Sequence, residues 1–225
     1  LLNTCKKYNL TYSVYLGATM KKISLLIFVL FNANQVYSSE EIIFAGGCFW
    51  CIEAPFDKTP GVISAESGYI NGRVVNPSYK QVSAGSSGHV EAVKVIYDPT
   101  KVSLKEIFEL FWQSFDPTDA GGSFYDRGPQ YSSAVFYNSK EQKRIAEESI
   151  KFINTLKVFS KEIVTPIIRA TKFYKAEEYH QNYHKKNPSH YKRYRKGSGR
   201  DNFIKKHWGK KKLHLPNYIF TRKKK

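Results

Sequence analysis

Two cysteines, Cys48 and Cys51, are the residues of this 225-residue chain whose type and spacing best suit chemistry. Cys48 follows a double glycine at a predicted junction between a strand and a helix. Unpaired amide groups and the positive end of the helix favour a thiolate there, so we expect the pKa of Cys48 to lie below its usual value of about 8.5. Cys51 lies three residues later on the same helix face, so a small adjustment would bring the two sulfurs into disulfide range.

Two other interpretations of this cysteine pair compete with a redox-active dithiol. A structural disulfide usually closes a long loop, because its stabilising effect grows with loop length, and two intervening residues offer little. A zinc site would need further ligands, and the chain has no second cysteine pair to add to His180 and His184. A redox-active dithiol is therefore favoured, although the motif alone does not separate a thioredoxin-like exchanger from other thiol enzymes.

The elements that would position the cysteines alternate along the chain. A short buried strand is predicted at 41–45, before the double glycine, and a helix at 48–58 after it. Further strands are predicted at 62–70, 89–97, 133–137 and 163–168, and further helices at 103–115, 139–156 and 174–186. Pro166 places the last strand at a sheet edge. This interleaving favours an α+β fold, a two-layer sandwich with helices packed on a mixed sheet.

Six short motifs occur one after another over about residues 41–190. They are Gly46-Gly47-Cys48-Phe49-Trp50, Asn76-Pro77-Ser78-Tyr79, Gly88-His89-Val90-Glu91-Ala92-Val93, Tyr97-Asp98-Pro99, Asp126-Arg127-Gly128-Pro129-Gln130-Tyr131 and Ala176-Glu177-Glu178-Tyr179-His180-Gln181. In this order and at this approximate spacing they resemble the A-type peptide methionine sulfoxide reductases, which repair oxidised methionine. The resemblance implies a plait related to the ferredoxin-like sandwich, and reduction of methionine S-sulfoxide in proteins, in peptides and as the free amino acid.

The resemblance also implies a role for each matched residue of the reacting centre. Cys48 corresponds to the nucleophile that attacks the sulfoxide sulfur and becomes a sulfenic acid. Glu91 corresponds to the acid that protonates the sulfoxide oxygen, so an apolar pocket should raise its pKa. Tyr79 and Tyr131 correspond to phenols that hydrogen-bond the same oxygen.

Four further residues correspond to the substrate pocket. Phe49 and Trp50 match an aromatic wall for the S-methyl group, a contact that is favourable for sulfur over a ring. Asp126 matches a polar pocket residue, and Tyr183 matches a position on the last helix. The chain departs from the family pattern at Ser132, where an arginine is often found beside this carboxylate. His180 and His184 are expected to be structural.

Recycling of the enzyme is expected to depend on Cys51. This cysteine stands where many family members have glycine, and no cysteine follows it in the chain. The resolving thiol is then Cys51 or is supplied by another molecule. We expect a Cys48–Cys51 disulfide that a thioredoxin-like dithiol donor reduces, with no cofactor and no metal.

The N-terminal region resembles a secretory signal peptide. Met20, the single methionine, is followed by Lys21, Lys22 and an apolar run at 23–31 that is shorter than a membrane span. We expect a signal peptide at 20–38, an upstream non-native segment at 1–19, a catalytic domain at 39–197 and a basic extension at 198–225. The protein would then be periplasmic or secreted, or cytoplasmic if the leader is not cleaved.

The net charge of +17 is concentrated at the C-terminal end of the chain. Residues 39–184 carry 16 Lys and Arg against 18 Asp and Glu, whereas residues 185–225 carry 16 against Asp201 alone. A nucleic-acid-binding fold usually spreads basic residues over a folded face, so we expect no nucleic acid partner. A monomer with weak contact to anionic membrane surfaces is expected instead. The alternative functions are a general dithiol–disulfide exchanger and a basic binding protein whose tail docks on acidic surfaces.

Overall fold

The structure, a computed structural model, describes residues 38–209 and 212–221. The expected signal peptide at 20–38 and the upstream segment at 1–19 therefore lie outside the described residues, apart from Ser38. Within the described ranges, no helix is long and apolar enough to cross a membrane.

Eight strands and seven helices occur among the described residues. The strands are β1 (Glu40–Gly46), β2 (Val62–Ile70), β3 (Val90–Tyr97), β4 (Gly122–Ser123), β5 (Asp126–Arg127), β6 (Ser133–Tyr137), β7 (Ile167–Arg169) and β8 (Tyr174–Lys175). The helices are α1 (Phe49–Asp57), α2 (Tyr79–Ser83), α3 (Leu104–Trp112), α4 (Lys140–Thr155), α5 (Tyr183–Lys186), α6 (Pro188–Gly197) and α7 (Arg200–His207). Single 3-10 turns are formed by Pro129–Tyr131 and Asn217–Ile219.

Six of the strands form one mixed sheet in the order β7-β6-β1-β3-β2-β8. Neighbouring strands are antiparallel except β6 and β7, which are parallel. β7 begins directly after Pro166 and lies at the sheet edge, as the proline predicts, because proline cannot donate a backbone hydrogen bond. The predicted α+β fold with a mixed sheet is confirmed.

The two faces of the sheet are covered differently. Along β1, Ile42 and Phe44 point into the main core, whereas Ile43 and Ala45 belong to a smaller cluster on the opposite face. This alternation follows from the two-residue period of a strand. The main core contains side chains of α1, α3 and α4, and the smaller cluster contains no helical residue among those described. The fold is therefore a two-layer sandwich, as predicted.

Two predicted helix starts are confirmed by their capping hydrogen bonds. Ser103 caps α3, and its hydroxyl oxygen accepts from the backbone N–H of Glu106 while the Glu106 carboxylate accepts from the Ser103 N–H. Ser139 caps α4 by accepting from the backbone N–H of Gln142. Each cap satisfies amide groups that the first helical turn leaves unpaired.

The helix predicted at 174–186 is wrong. The chain forms β8 at its start and the short helix α5 at its end, with turns between them. The Gln181 side chain bridges to β2, where its Oε1 accepts from the Ser67 N–H at 3.1 Å and its Nε2 donates to the Ser67 carbonyl at 2.8 Å. Asn182 has a left-handed φ of 54°, which no helix interior tolerates. Tertiary hydrogen bonds to the sheet thus replace the helical ones.

The predicted boundary between a catalytic domain at 39–197 and a basic extension at 198–225 is not a structural boundary. The described residues, 38–209 and 212–221, belong to one compact unit. The extension contributes four buried apolar side chains to the main core: Trp208, Leu213, Leu215 and Ile219. The backbone N–H of Leu213 also donates to the side chain of Gln113, which follows α3, and that of Leu215 donates to the side chain of Glu109 on α3. The basic composition concealed this apolar pattern, which folds the segment back onto α3.

Candidate active site

The turn between β1 and α1 presents Cys48 at the N-terminus of the helix. β1 ends at Gly46, α1 begins at Phe49, and Cys48 is the residue that precedes the first helical turn. Gly47 has a φ of 84°, and a Cβ atom there would lie 2.2 Å from the Cβ atom of Ser123 on β4. Only glycine meets both demands, because other residues rarely adopt this φ and their Cβ atom would clash. Gly47 therefore lets β4 pack against the turn.

The two thiols lie in contact, as their spacing predicts. Both cysteines are free and buried, and Cys48 keeps only 5% of its surface exposed. The Cys51 backbone N–H donates to the Cys48 carbonyl at 3.0 Å, which starts the helix. The Cys48 thiol hydrogen-bonds the sulfur of Cys51. The side chains are thus arranged for a disulfide with little backbone movement.

The ionisation of this pair differs from the prediction made for Cys48. Burial, together with the hydrogen bond to Cys51, raises the pKa of Cys48 well above its ordinary value. The same hydrogen bond lowers the pKa of Cys51 to about 7, against the effect of burial, and the charges of Arg200 and Arg195 lower it further. The predicted lowering at Cys48 is wrong because loss of solvent outweighs the helix end at this site. Cys51 therefore ionises more readily than Cys48.

Glu91 lies on β3 directly beneath this turn. Its carboxyl Oε2 accepts from the backbone N–H of Phe49 at 3.0 Å, and the side chain is 2% exposed. Burial raises the pKa of Glu91 to about 8, and the nearby carboxyl of Asp126 contributes to the increase. Strand alternation places Glu91 on the helix-covered face, together with the core residues Val93 and Val95. Glu91 therefore holds a proton at neutral pH, as expected for an acid catalyst.

Tyr79 and Tyr131 meet at the same site from different parts of the chain. Tyr79 begins α2, and Tyr131 ends the 3-10 turn before β6. Their side chains lie close enough for each to influence the pKa of the other. Burial raises the pKa of Tyr79 to about 12 and also raises that of Tyr131, with Glu91 as the next cause at both. Both phenols therefore stay protonated and can donate a hydrogen bond at neutral pH.

An aromatic wall adjoins the thiols. Phe49 is buried, and its ring centroid lies 4.9 Å from that of His180. Trp50 stacks on Tyr183 with centroids 3.8 Å apart and ring planes 6° from parallel. The Trp50 indole N–H donates to His180 Nδ1 at 3.2 Å. Burial lowers the pKa of His180 to about 4, so its ring is neutral and fixes the orientation of Trp50.

Asp126 closes the site from β5. Burial raises the pKa of its carboxyl, whereas the hydrogen bond from Tyr194 and the charge of Arg200 lower it. The phenol of Tyr194, on α6, donates to Asp126 Oδ2. Ser132 stands where many family members have arginine, and here Tyr194 and Arg200 from the C-terminal helices act on the Asp126 carboxyl instead. All nine sequence-predicted site residues lie in this one region of the molecule.

Four residues of this region were missed by the sequence analysis. Glu177 accepts from the Tyr79 backbone N–H at 2.7 Å and from the Tyr69 hydroxyl at 2.7 Å, so it positions Tyr79. Tyr194, Arg195 and Arg200 come from a segment read only as basic. Glu177 lies inside the family motif at 176–181, so it could have been proposed as a site residue from the sequence. Nothing in the local sequence pattern distinguishes the other three residues from surface residues.

The arrangement combines a buried thiol pair, a protonated carboxylic acid and two phenols beside an apolar wall. A polar, electron-accepting group bound there could receive a proton from Glu91 and hydrogen bonds from the tyrosines while Cys48 attacks it. Among the residues the structure describes, no group of His, Cys, Asp and Glu side chains could hold a metal ion. The reaction that the described side chains support is a thiol-based reduction.

Comparison with known proteins places these features in a family. The family model of peptide methionine sulfoxide reductase matches residues 40–212. The chain is 49% identical over 168 residues to peptide methionine sulfoxide reductase MsrA of Bacillus licheniformis, covering 75% of this chain and 93% of that protein. The MsrA of Bacillus subtilis is 50% identical over 168 residues, covering 75% and 95%.

Solved structures give the same result. Methionine sulfoxide reductase A of Corynebacterium diphtheriae superposes with a TM-score of 0.60 at 32% identity, covering 69% of this chain and 77% of that one. Reduced Mxr1 of Saccharomyces cerevisiae superposes with a TM-score of 0.59 at 33% identity, covering 67% and 87%. The chain therefore belongs to the peptide methionine sulfoxide reductases of the A type, the enzymes that reduce methionine S-sulfoxide to methionine.

Proposed function

We propose that Cys48 and Glu91 carry out the first half of this reaction together. The Cys48 sulfur attacks the sulfoxide sulfur while Glu91 gives its proton to the sulfoxide oxygen. Tyr79 and Tyr131 donate hydrogen bonds to the same oxygen as negative charge develops on it. Phe49 and Trp50 enclose the S-methyl group, with Tyr183 supporting the indole and Asp126 bordering the polar side of the pocket.

The atoms of this step balance without another reactant. The sulfur–oxygen bond of the substrate breaks, methionine leaves as a thioether, and Cys48 becomes a sulfenic acid. The substrate sulfur gains two electrons and the Cys48 sulfur loses two. The proton of the Cys48 thiol restores Glu91, so the carboxyl group acts without net consumption.

Cys51 completes the second half of the reaction. Its sulfur attacks the Cys48 sulfenic acid, a sulfur–sulfur bond forms, and the hydroxyl group leaves as water with the Cys51 proton. The contact between the two thiols in the resting structure supports this role, because little movement is needed to reach disulfide geometry. No other cysteine follows Cys51 in the chain.

A thioredoxin-like dithiol protein would return the disulfide to two thiols. Exchange requires an incoming thiolate to attack one sulfur of the disulfide. Cys51 is fully buried, whereas Cys48 retains a small exposed surface. The donor would therefore attack Cys48 and release Cys51, which is the thiol with the lower pKa and the better leaving group.

The single observation that carries this mechanism is the buried, protonated Glu91 whose carboxyl binds the backbone next to Cys48. A general disulfide exchanger, the alternative function, has no developing oxygen charge for Glu91, Tyr79 and Tyr131 to stabilise. Turnover of the separated sulfoxide epimers with a dithiol reductant tests the mechanism, with a peptide disulfide as the competing substrate. Rapid reduction of the disulfide together with inert sulfoxides would reject it.

We further propose that the protein is exported through the leader at 20–38. The support is the sequence pattern alone: Lys21 and Lys22 before a short apolar run, then the small residues Val36 and Ser38. An exported enzyme would meet an oxidising compartment, so its dithiol donor must also lie outside the cytosol. Cell fractionation with N-terminal sequencing checks this, and a cytoplasmic protein that still begins at Met20 would contradict it.

We also propose that a basic surface on α6, formed by Lys192, Arg193 and Lys196, makes weak contact with anionic lipid headgroups. Lys192, Arg193 and Lys196 are exposed on α6, next to the active site. Each cation near such a surface contributes about 1 kcal/mol, and salt weakens the attraction. Replacing all three with glutamine should reduce binding to anionic vesicles at low salt and leave neutral vesicles unaffected. Equal binding by both proteins would contradict the contact.

We also propose that the protein is a monomer, which sedimentation velocity tests.

A further inference from the structure

Arg200, the first residue of α7, is a buried cation at the centre of the molecule. Only 1% of its surface is exposed. Its Nη1 donates to the Ser114 carbonyl at 2.8 Å, and both terminal nitrogens approach the Gly46 carbonyl at 3.3 Å. Its Nη2 also donates to Ser123 Oγ at 3.3 Å, and Nε is buried without a hydrogen-bond partner. Every acceptor in this set is neutral.

Arg200 makes no ion pair within the described part of the chain, and the carboxyl of Asp126 interacts with its charge only from beyond ion-pair distance. None of the described carboxylates lies within ion-pair distance of the guanidinium, and the neighbouring Arg195 pairs with Asp201 instead. The ring of Phe124 lies 4.8 Å from the guanidinium carbon and offers a cation–π contact. A buried guanidinium without an anion is costly, so its position requires a compensating function. Hydrogen bonds alone could be made by a neutral side chain.

The guanidinium lies against the turn that carries the dithiol. It holds the carbonyl of Gly46, and a Cβ atom on Gly47 would lie 3.2 Å from its Nη2. From α6, Nη1 of Arg195 donates to the Cys51 carbonyl at 3.3 Å. Two cations from the C-terminal helices thus lie against this region: Arg200 contacts the turn before α1, and Arg195 contacts the first turn of α1. The titratable groups that interact electrically with Cys51 are Cys48, Glu91, Asp126, Tyr191, Tyr194, Arg195 and Arg200.

We propose that Arg200 is a positioning residue for disulfide formation: it holds the turn before Cys48 and supplies the counter-charge of the Cys51 thiolate. This inference rests on the proposed function of the two cysteines. When the Cys51 thiolate, which has already released its proton, attacks the Cys48 sulfenic acid, the sulfur–sulfur bond forms and hydroxide leaves, taking a proton from solvent to become water. A fixed cation favours the thiolate that begins this step.

The charge of Arg200 should have little effect on the first step, in which Cys48 attacks the sulfoxide. Negative charge then develops on the sulfoxide oxygen, which Glu91, Tyr79 and Tyr131 stabilise. The guanidinium is directed instead at the Gly46 carbonyl and the Ser114 carbonyl, below the turn. Loss of the Arg200 charge should therefore separate the two half-reactions, which a general loss of packing would not do.

Three variants test this separation in the full-length enzyme. Arg200→Gln removes the charge but keeps hydrogen-bond donors, and Arg200→Lys keeps the charge but loses the forked geometry. Arg169→Gln, an exposed arginine on β7, is the matched control. Each protein reacts with one equivalent of methionine S-sulfoxide without reductant. Rapid quenching gives the methionine formed, the sulfenic acid trapped by dimedone and the thiols that remain.

We expect methionine formation by Arg200→Gln within about threefold of wild type. Disulfide formation should slow by about ten- to a hundredfold, with sulfenic acid accumulating, because a loss of one to two pKa units in thiolate stabilisation has this effect. The pH midpoint of disulfide formation should move upward by the same one to two units. Arg200→Lys should keep the wild-type midpoint, and Arg169→Gln should match wild type in every measurement.

Several results would overturn the inference. Disulfide formation at the wild-type rate in folded Arg200→Gln would do so, as would equal slowing of both half-reactions. If Arg200→Gln does not fold, Arg200→Lys decides: equal slowing of methionine formation and disulfide formation would assign Arg200 to packing alone. Failure of wild type to form any methionine or sulfenic acid would instead reject the proposed function, so the two failures are distinguishable.

Discussion

Replacing Glu91 by glutamine removes the acidic proton while keeping an oxygen that can accept from the Phe49 N–H. Burial raises the Glu91 pKa from 4.5 to about 8, so the ionised form is disfavoured by roughly 3.5 pKa units, or about 5 kcal/mol. At pH 7 the carboxyl is therefore roughly nine-tenths protonated and competent as an acid. A positioned proton donor typically contributes a factor of 10²–10⁴ in rate. We expect Glu91→Gln to slow methionine formation by that factor.

The pH dependence provides a second signature of the same residue. The ratio of the wild-type rate of methionine formation to that of Glu91→Gln should fall about tenfold per pH unit above pH 8, as Glu91 loses its proton while Cys48 ionises alike in both proteins. Glu66→Gln, on the neighbouring strand β2 and half-exposed beside Lys94, is the control and should behave as wild type. Single-turnover assays with rapid quenching measure these rates.

Glu91→Gln should be more stable than wild type at neutral and higher pH, although it is less active. Because the folded-state pKa of Glu91 lies above the unfolded value, folding retains a proton that the unfolded chain releases as pH rises through the interval from 4.5 to about 8. The stabilising contribution is present below pH 4.5 and is lost as pH rises to 8. Glu91→Gln lacks this loss, so urea unfolding should show its advantage over wild type growing across that interval. Unchanged single-turnover rates, or a constant stability difference, would refute the assigned pKa and role.

Three further predictions follow from the site and from the packing of the C-terminal segment. Cys48→Ser should lose sulfoxide reduction completely, whereas Cys51→Ser should form about one equivalent of methionine and then stop; repeated turnover by Cys48→Ser in a dithiol assay would contradict the mechanism. Tyr79→Phe and Tyr131→Phe should each slow methionine formation by on the order of 10² with little change in thiol reactivity towards iodoacetamide, since each loses one donor to the developing oxygen charge. Deleting 198–225 removes four buried apolar side chains, each worth about 1.5–3 kcal/mol, which is comparable with the whole stability of a domain. Circular dichroism should find the truncated protein unfolded, and a cooperative melt like that of wild type would contradict the observed packing.

The sequence by itself determined the elements whose causes are local. The alternation of 90–97 and the capping residues Ser103 and Ser139 depend only on neighbouring residues, and the structure confirms them. The close approach of Cys48 and Cys51 follows from the helical period in the same way. The family resemblance added the distant members of the site, which periodicity could not have assembled.

Only the tertiary structure decided the electrostatics of the site. The pKa of Cys48 rises rather than falls because burial removes solvent, and the extent of burial depends on elements far away in the chain. The segment at 174–182 leaves its expected helix because hydrogen bonds to Ser67 on β2 compete successfully. Arg200 appears in the sequence as one cation among many, and only the return of 198–221 onto α3 buries it beneath the dithiol. Interactions between residues distant in the chain depend on their separation in space, and that separation exists only in the folded protein.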